Sequence, residues 1–191
     1  MDHRQHHPLA SAPIVNLIQR HLPLPKDDHP RYTEALIYFS QISQAMATKV
    51  ETETYRVGRI GLANTMGALY WQLNDVWVAP SWSSIDFKGN FKILQYWAKE
   101  FFAPIHVVAH LDAMNDVNVY VVSDVIGETR PIVATMKVYS WSNLIPAVQR
   151  SWTIDKVRTI PFNLYNLALN AFNFRLKIPL RLLINSALKT T

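Results

Sequence analysis

The apolar residues of this chain change their period at Pro104. Before that proline they recur every three or four positions. In YTEALIYFSQISQAMATKV, Tyr32, Leu36, Phe39, Ile42, Met46 and Val50 keep this spacing, and in FKILQYWAKEFF so do Phe91, Leu94, Trp97, Ala98 and Phe101. Directions repeat on an α-helix every 3.6 residues, so both runs predict amphipathic helices. After Pro104 the repeat falls to two. IHVVAHL, VNVYVVS and PIVATMKVYSW read as short strands, with Val117, Val119 and Val121 on one face and Ile132, Ala134, Met136 and Val138 on another. Turns are expected at Met114–Asn115–Asp116 and Ile126–Gly127–Glu128. The two rhythms predict an α/β part followed by an antiparallel β part, with the boundary near Pro104.

Between the helices lies TMGALYWQLNDVW, residues 65–77. Met66 to Trp71 is a continuous apolar run, which predicts a strand covered on both faces. A loop, VWVAPSWSSIDFKGN, follows it. Helix, strand, loop and helix in that order suggest a βα-repeating architecture. Gly58 and Gly61 are expected to close the first helix or the segment after it, and residues 1–30 form a Pro- and His-rich lead-in with a short helical turn around Ile14–Arg20. The strand ends on Gln72, Asn74 and Asp75, and α/β enzymes place their chemistry at the carboxyl ends of strands. Trp71, Trp77 and Trp82 stand among Asn74, Asp75, Ser81, Ser83, Ser84 and Asp86. Flat rings beside amides and carboxylates suit a sugar, whose C–H faces stack on indole and whose hydroxyls need donors and acceptors. The same tryptophans would serve equally well as core.

Several classes of function are excluded or disfavoured. With 191 residues and 49% hydrophobic content the chain can bury a substantial core, and it is not of disordered composition. It has no cysteine, hence no disulfide, thiolate metal site or cysteine nucleophile. The net charge of +5 is a property of the end of the chain. No acidic residue follows Asp155, while Lys156, Arg158, Arg175, Lys177, Arg181 and Lys189 are basic; the preceding part has 13 basic and 14 acidic residues. A nucleic-acid footprint would need cations gathered on a folded face, and the body offers none. Met1–Gln19 has no basic-then-apolar pattern of a signal peptide, and no apolar run is long enough to span a membrane. His106 and His110 have helical zinc spacing but sit in a strand run, where they read as a surface-facing pair. His3, His6 and His7 read as a solvated terminus. Glu51 and Glu53, two apart on a helix, diverge instead of forming an acid/base pair. There is no phosphate loop and no nucleophile elbow.

TMGALYWQLNDVWVAPSWSSIDFKGNFKILQYWAKEFFAPI resembles the corresponding stretch of β-mannosidases, in the glycosidase clan that includes β-galactosidase and β-glucuronidase. The similarity runs back through KVETETYR (49–56) and HRQHH, and forward to VYSWSNLIPAV (138–148), spanning roughly residues 3–150. It implies a retaining exo-glycosidase that removes terminal β-linked mannose from oligosaccharides, lysosomal in animals. It also implies a (β/α)₈ TIM barrel followed by an immunoglobulin-like β-sandwich. On that pattern GALYW would be the last barrel strand, Trp71 part of the mannose platform, and Asn74 and Asp75 would order the pocket mouth. No cofactor is implied, because this chemistry uses carboxylic acids and water. The substrate would be a β-mannoside oligosaccharide, and the oligomeric state stays open.

The chain also departs from the family. A retaining mechanism needs two carboxylic acids about 5 Å apart. In this family they belong to an Asn-Glu and a Ser-Glu-Phe/Tyr-Gly motif, and this chain contains neither Asn-Glu nor Ser-Glu. The resemblance therefore implies no catalytic residue here, and a carboxyl-terminal piece of such an enzyme, inactive alone. The expected organisation is 1–103 as the end of a TIM barrel, 104–158 as a partial immunoglobulin-like sandwich, and 159–191 as a divergent basic tail. The tail fits neither rhythm, and Pro161 and Pro179 interrupt any long helix. It lacks the distinct polar face that a membrane-surface helix needs.

Overall fold

In the computed structural model, residues 12–59, 63–78, 80–111, 117–128, 131–140, 143–155, 158–159, 172–174 and 182–190 are described. They contain three helices: α1 (Ala12–Gln19), α2 (Tyr32–Val57) and α3 (Ile93–Phe101). Eight strands follow: β1 (Ile105–Leu111), β2 (Val117–Ser123), β3 (Gly127–Glu128), β4 (Ile132–Ser140), β5 (Val148–Ile154), β6 (Arg158–Thr159), β7 (Phe172–Phe174) and β8 (Leu182–Thr190). The chain divides into two compact units, Met1–Thr52 with Leu69–Phe101, and Glu53–Ala68 with Phe102–Thr191.

In the first unit, helices supply the order. The sequence run puts the first long helix at 32–50, and it continues to Val57 because no glycine or proline intervenes before Gly58. At Gly58 the amide still bonds the Thr54 carbonyl at 2.8 Å, and a Cβ there would meet Thr65 Oγ1 at 2.8 Å, so a side chain cannot fit without displacement. The core of this unit joins Ala45 of α2 to Leu94, Ala98 and Phe101 of α3, with Tyr70, Ile93 and Trp97 packed on it. α3 begins at Ile93, where the backbone amide donates to Gln41 Oε1 at 3.1 Å. Phe91, expected on the buried face, precedes the helix and is exposed; Val50 is exposed as well.

Met66–Trp71, expected as a buried strand, belongs to no strand among the described residues, and Met66, Leu69 and Trp71 are exposed. Apolar continuity reports the surroundings a segment suits, whereas a strand exists only where a neighbour supplies hydrogen bonds. All the ladders among the described residues are antiparallel; the parallel pairing found is one isolated bridge, Asn74 to Ile85. No βα-repeating sheet is formed among the described residues.

In the second unit the two-residue period holds. β1, β2 and β4 start and stop close to where the sequence places them, and β4 buries Ile132, Ala134, Met136 and Val138. The sheets run β1-β2-β7 and β5-β4-β8, with a two-stranded β3-β6 ribbon. Val107, Val117, Val119 and Val121 meet the β4 residues and Ile154 in one core, the two larger sheets facing each other across it. Two expectations differ here. Gly127–Glu128 is not a turn but pairs with Arg158–Thr159. The stretch after residue 158 does not stand apart: Phe172–Phe174 lies against β2, and Leu182–Thr190 pairs with all of β4, Ile132 opposite Thr190 and Ser140 opposite Leu182. Backbone pairing is indifferent to side-chain charge, so a composition shift conceals strands that edge positions tolerate. The turn expected at Met114–Asn115–Asp116 lies outside the described residues.

Candidate functional site

The segment 70–92 of the first unit holds the candidate residues, and short hydrogen bonds fix its path. The Leu73 carbonyl accepts from Ile85 N at 2.9 Å and Ser84 N at 3.1 Å, and Asp75 N donates to the Ile85 carbonyl at 2.9 Å. Lys92 N returns to the Ser84 carbonyl at 2.9 Å. Ser84, fully buried, lies with its hydroxyl 2.8 Å from both the Leu73 carbonyl and Gln95 Oε1, and 2.9 Å from Tyr70 Oη. One hydroxyl carries one proton, so Ser84 donates to one carbonyl at a time while Tyr70 donates to it. A tight turn closes the far end. Gly89 adopts φ +86°, a conformation that favours glycine, and its amide reaches the Asp86 carbonyl at 3.0 Å. Asp86 accepts from Lys88 N, Asn90 N and Asn90 Nδ2, each at 2.8 Å. Led by the Asn90 side-chain bond, these hold its carboxyl below the usual range.

Asp75 is the buried charge of the segment, 7% exposed. One oxygen takes the Ser81 hydroxyl. The other takes Lys92 Nζ at 3.1 Å, and the same ammonium reaches Ser83 Oγ at 2.7 Å and the Ser81 carbonyl at 3.3 Å. Three N–H bonds thus meet three acceptors. Burial alone would raise the Asp75 carboxyl, but the bonds from Ser81, Lys92 and Ser83 outweigh it and hold the group below its ordinary value. A general acid needs the opposite displacement. Asp75 is therefore a structural anion that holds the loop. Its neighbour Asn74 is exposed, with Nδ2 3.2 Å from the Asp75 carbonyl.

Trp71 is 76% exposed, and Trp77 and Trp82 also present much of their surface; none of the three is a core residue. The expected alternative of tryptophan core packing is thereby overturned. The backbone of Trp82 is held by Gln44 Nε2, 2.6 Å from its carbonyl. The segment presents an exposed indole and, three residues on, an exposed amide on a tied-down backbone, groups that can respectively stack against and hydrogen-bond a hydroxylated ligand. Lys92, Gln44, Gln95 and Tyr70 organise it and were not singled out in the sequence. Lys92 stands inside an apolar run, and nothing in its spacing to Asp75 reports their contact.

In the second unit, His106 is not surface-facing. Its Nε2 lies 2.7 Å from Glu53 Oε1; the Glu53 side chain is buried and that of His106 is 14% exposed. Glu53, near the end of α2, reaches His106 of β1, which strand alternation alone does not disclose. His110 packs edge-on against Tyr120, centroids 6.0 Å apart. No group of three or more metal-ligating side chains occurs among the described residues. Glu51 is exposed and Glu53 buried, as their divergence on α2 requires. Arg56 and Arg59 converge on Asp124, Arg56 at 2.9 Å from Oδ2, and Arg56 also bonds the Ala103 carbonyl at 2.9 Å. Burial lowers the Arg56 guanidinium, against the pull of Asp124. A cleft of about 200 Å³ opens beside this triad, bordered by Tyr55 and Phe102.

No protein-family model matches the chain. A protein named probable beta-mannosidase from Caenorhabditis elegans is 38% identical over 179 residues, covering 82% of this chain and 20% of that protein. The beta-mannosidase of Capra hircus is 41% identical over 147 residues, 74% of this chain and 16% of that protein. Among solved structures, a beta-D-mannosidase from Dictyoglomus thermophilum superposes with a TM-score of 0.69 over 95% of this chain and 20% of its own, at 22% identity. An exo-chitosanase from Amycolatopsis orientalis gives 0.62 over 83% and 18%, at 19% identity. The chain spans about a fifth of the length of the curated relatives it matches.

Proposed function

Because this chain is a homologue of the β-mannosidases over most of its length, we propose that it serves hydrolysis of terminal, non-reducing β-D-mannose residues of oligosaccharides. The observation that carries the reading is the 38–41% identity to two proteins named for that activity. The TM-score of 0.69 to a solved relative supports a common fold.

In this reading residues 1–103 are the closing part of a (β/α)₈ barrel and 104–158 the body of an immunoglobulin-like sandwich, with 159–191 its divergent continuation. Trp71 forms part of the mannose platform, Asn74 contacts the sugar, and Asp75 acts from behind through Lys92 and Ser81. The exposed indole and amide support these roles. The two glutamates of the reaction are not in this chain, which carries neither Asn-Glu nor Ser-Glu. The chain alone is therefore inactive. By likeness to the animal enzymes the site of action is the lysosome.

The test is a chimera in which this chain replaces the matched segment of the Capra hircus enzyme. It should hydrolyse an aryl β-mannoside, while the purified chain alone releases nothing. A folded chimera without turnover would overturn the reading. A second reading, a carbohydrate-binding module without catalysis, is favoured by the exposure of Trp71 alone. It requires the isolated chain to bind mannosides with an affinity lost in Trp71→Ala.

A further inference from the structure

At the end of α2 the second unit gathers two cations on one anion. Arg56 Nη2 lies 2.9 Å from Asp124 Oδ2, and Arg59 Nη2 donates to Oδ1 of the same carboxylate. The cleft of about 200 Å³ beside them is bordered by both guanidiniums, by Asp124 and by the exposed rings of Tyr55 and Phe102. Gly67 leaves it open, since a Cβ there would meet nothing within 4 Å. The two arginines are not equivalent. The Arg56 side chain is 4% exposed and also bonds the Ala103 carbonyl. That of Arg59 is 25% exposed; it donates from Nη1 to the Ser123 carbonyl at 3.1 Å and from Nη2 to Asp124. A guanidinium has five N–H groups, so among the described residues three of those on Arg59 meet no protein acceptor.

We propose that this cleft binds a small oxyanion, the carboxylate or phosphate group of a soluble ligand, gripped by Arg59 with Arg56 behind it and the Tyr55 and Phe102 rings as walls. The charge balance favours an anion. The lining holds two guanidiniums against one carboxylate, and Asp124 is shared between them. Glu53, which also acts on Arg56, is engaged by His106 at 2.7 Å. Burial lowers the Arg56 guanidinium; Asp124 and Glu53 oppose that and Arg59 adds to it, so a further anion would favour both cations. The planar fork of arginine matches two oxygens of a carboxylate or phosphate, and bonds of this kind are charge-assisted. Rings beside the guanidinium displace water, which strengthens such a bond. A sugar hydroxyl would satisfy the N–H groups but not the surplus charge. The inference stands apart from the mannoside reading, because it uses no residue of segment 70–92.

The experiment titrates the purified chain with inorganic phosphate and, in parallel, with acetate at fixed ionic strength, and reads binding by calorimetry. The expected result is saturable binding of one anion per chain, the tighter of the two naming the group as tetrahedral phosphate or planar carboxylate. Arg59→Gln removes the exposed charge and should weaken binding by about tenfold or more, the size of one charge-assisted hydrogen bond. Gly67→Asp sets a carboxylate at the open side of the cleft and changes neither arginine. The φ of Gly67 is not in the left-handed region, so a side chain is accommodated there. This variant should abolish binding while circular dichroism shows the fold retained. Lys99→Gln, exposed on α3 in the first unit, should leave the affinity unchanged. No saturable binding of either anion, binding indifferent to Arg59→Gln or to Gly67→Asp, or an equal loss in Lys99→Gln would overturn the proposal and leave the two arginines as fastenings of Asp124 alone.

Discussion

Replacing Lys92 by Met removes the cation from a buried anion and leaves the volume nearly intact. The Lys92 side chain is 16% exposed and that of Asp75 5%, so neither charge is well served by water. Stripping one partner from such a pair costs about 3–5 kcal/mol, chiefly because the remaining charge stays desolvated. Asp75 keeps the Ser81 hydroxyl, which places the expected loss near the lower end, about 3 kcal/mol. In urea, with a slope of about 2 kcal/mol/M for a chain of this size, the midpoint should fall by roughly 1.5 M, read by tryptophan fluorescence. The double variant Asp75→Asn/Lys92→Met should lose less than the sum of the single losses by at least about 1 kcal/mol, since neither charge is stranded. The pH dependence follows from the direction of the Asp75 shift. Its folded carboxyl sits below the unfolded one, so its contribution is present above the ordinary carboxylate range and is lost as pH falls through the folded value. Lys92→Met should flatten that acid limb. A loss under about 0.5 kcal/mol, the size typical of surface substitutions, or additive single losses would refute the assignment of Asp75 as a buried structural anion.

Phe101→Ala should destabilise the first unit by about 3–5 kcal/mol in the same urea titration, because the ring is fully buried among Ala45, Leu94 and Ala98. Trp71→Ala should leave stability within about 0.5 kcal/mol while abolishing turnover in the chimera, separating a ligand platform from a core residue. Asp124→Asn removes the carboxylate shared by Arg56 and Arg59 and should cost about 1–3 kcal/mol, the lower half if solvent reaches Asp124 freely. Thermal melts across salt concentration decide between the halves, since a solvated pair weakens with salt.

The β elements and the apolar faces of α2 and α3 were legible because period-two and period-3.6 patterns are written by burial on one side. β4 shows this best, its four expected inward residues all buried. The pattern misled where burial depends on a partner the pattern does not name. Met66–Trp71 reads as a two-sided strand, and here its outer face meets solvent. His106 reads as a surface residue by alternation, and Glu53 near the end of α2 reaches it. The network that shapes the candidate site was illegible for a different reason. Asp75, Ser81, Ser83 and Lys92 meet through chain reversals, and nothing in the one-dimensional spacing of 75 and 92 reports a 3.1 Å contact. Trp71 and Asn74 could be nominated from residue type, but the cation that secures the loop behind them could not. The strands after residue 158 were hidden by charge composition, which backbone pairing ignores.

The way the Trp71 segment is held bears on how it would act. A strand inside a sheet takes its order from lateral neighbours, so its side chains are only as fixed as the ladder. Leu73, Asp75, Ser84 and Lys92 instead tie this segment through buried polar bonds whose partners all lie between residues 70 and 95. Buried networks of this kind are costly to disrupt once every member is satisfied, and they select a single arrangement. The backbone that carries the indole and the Asn74 amide is thus ordered without a lateral strand. Preorganisation of that kind lowers the entropic cost of binding a ligand. It also predicts that Lys92→Met, by loosening the corner, weakens mannoside binding in the chimera even though Lys92 is tied to Asp75, Ser81 and Ser83: the lost order would have to be restored on binding.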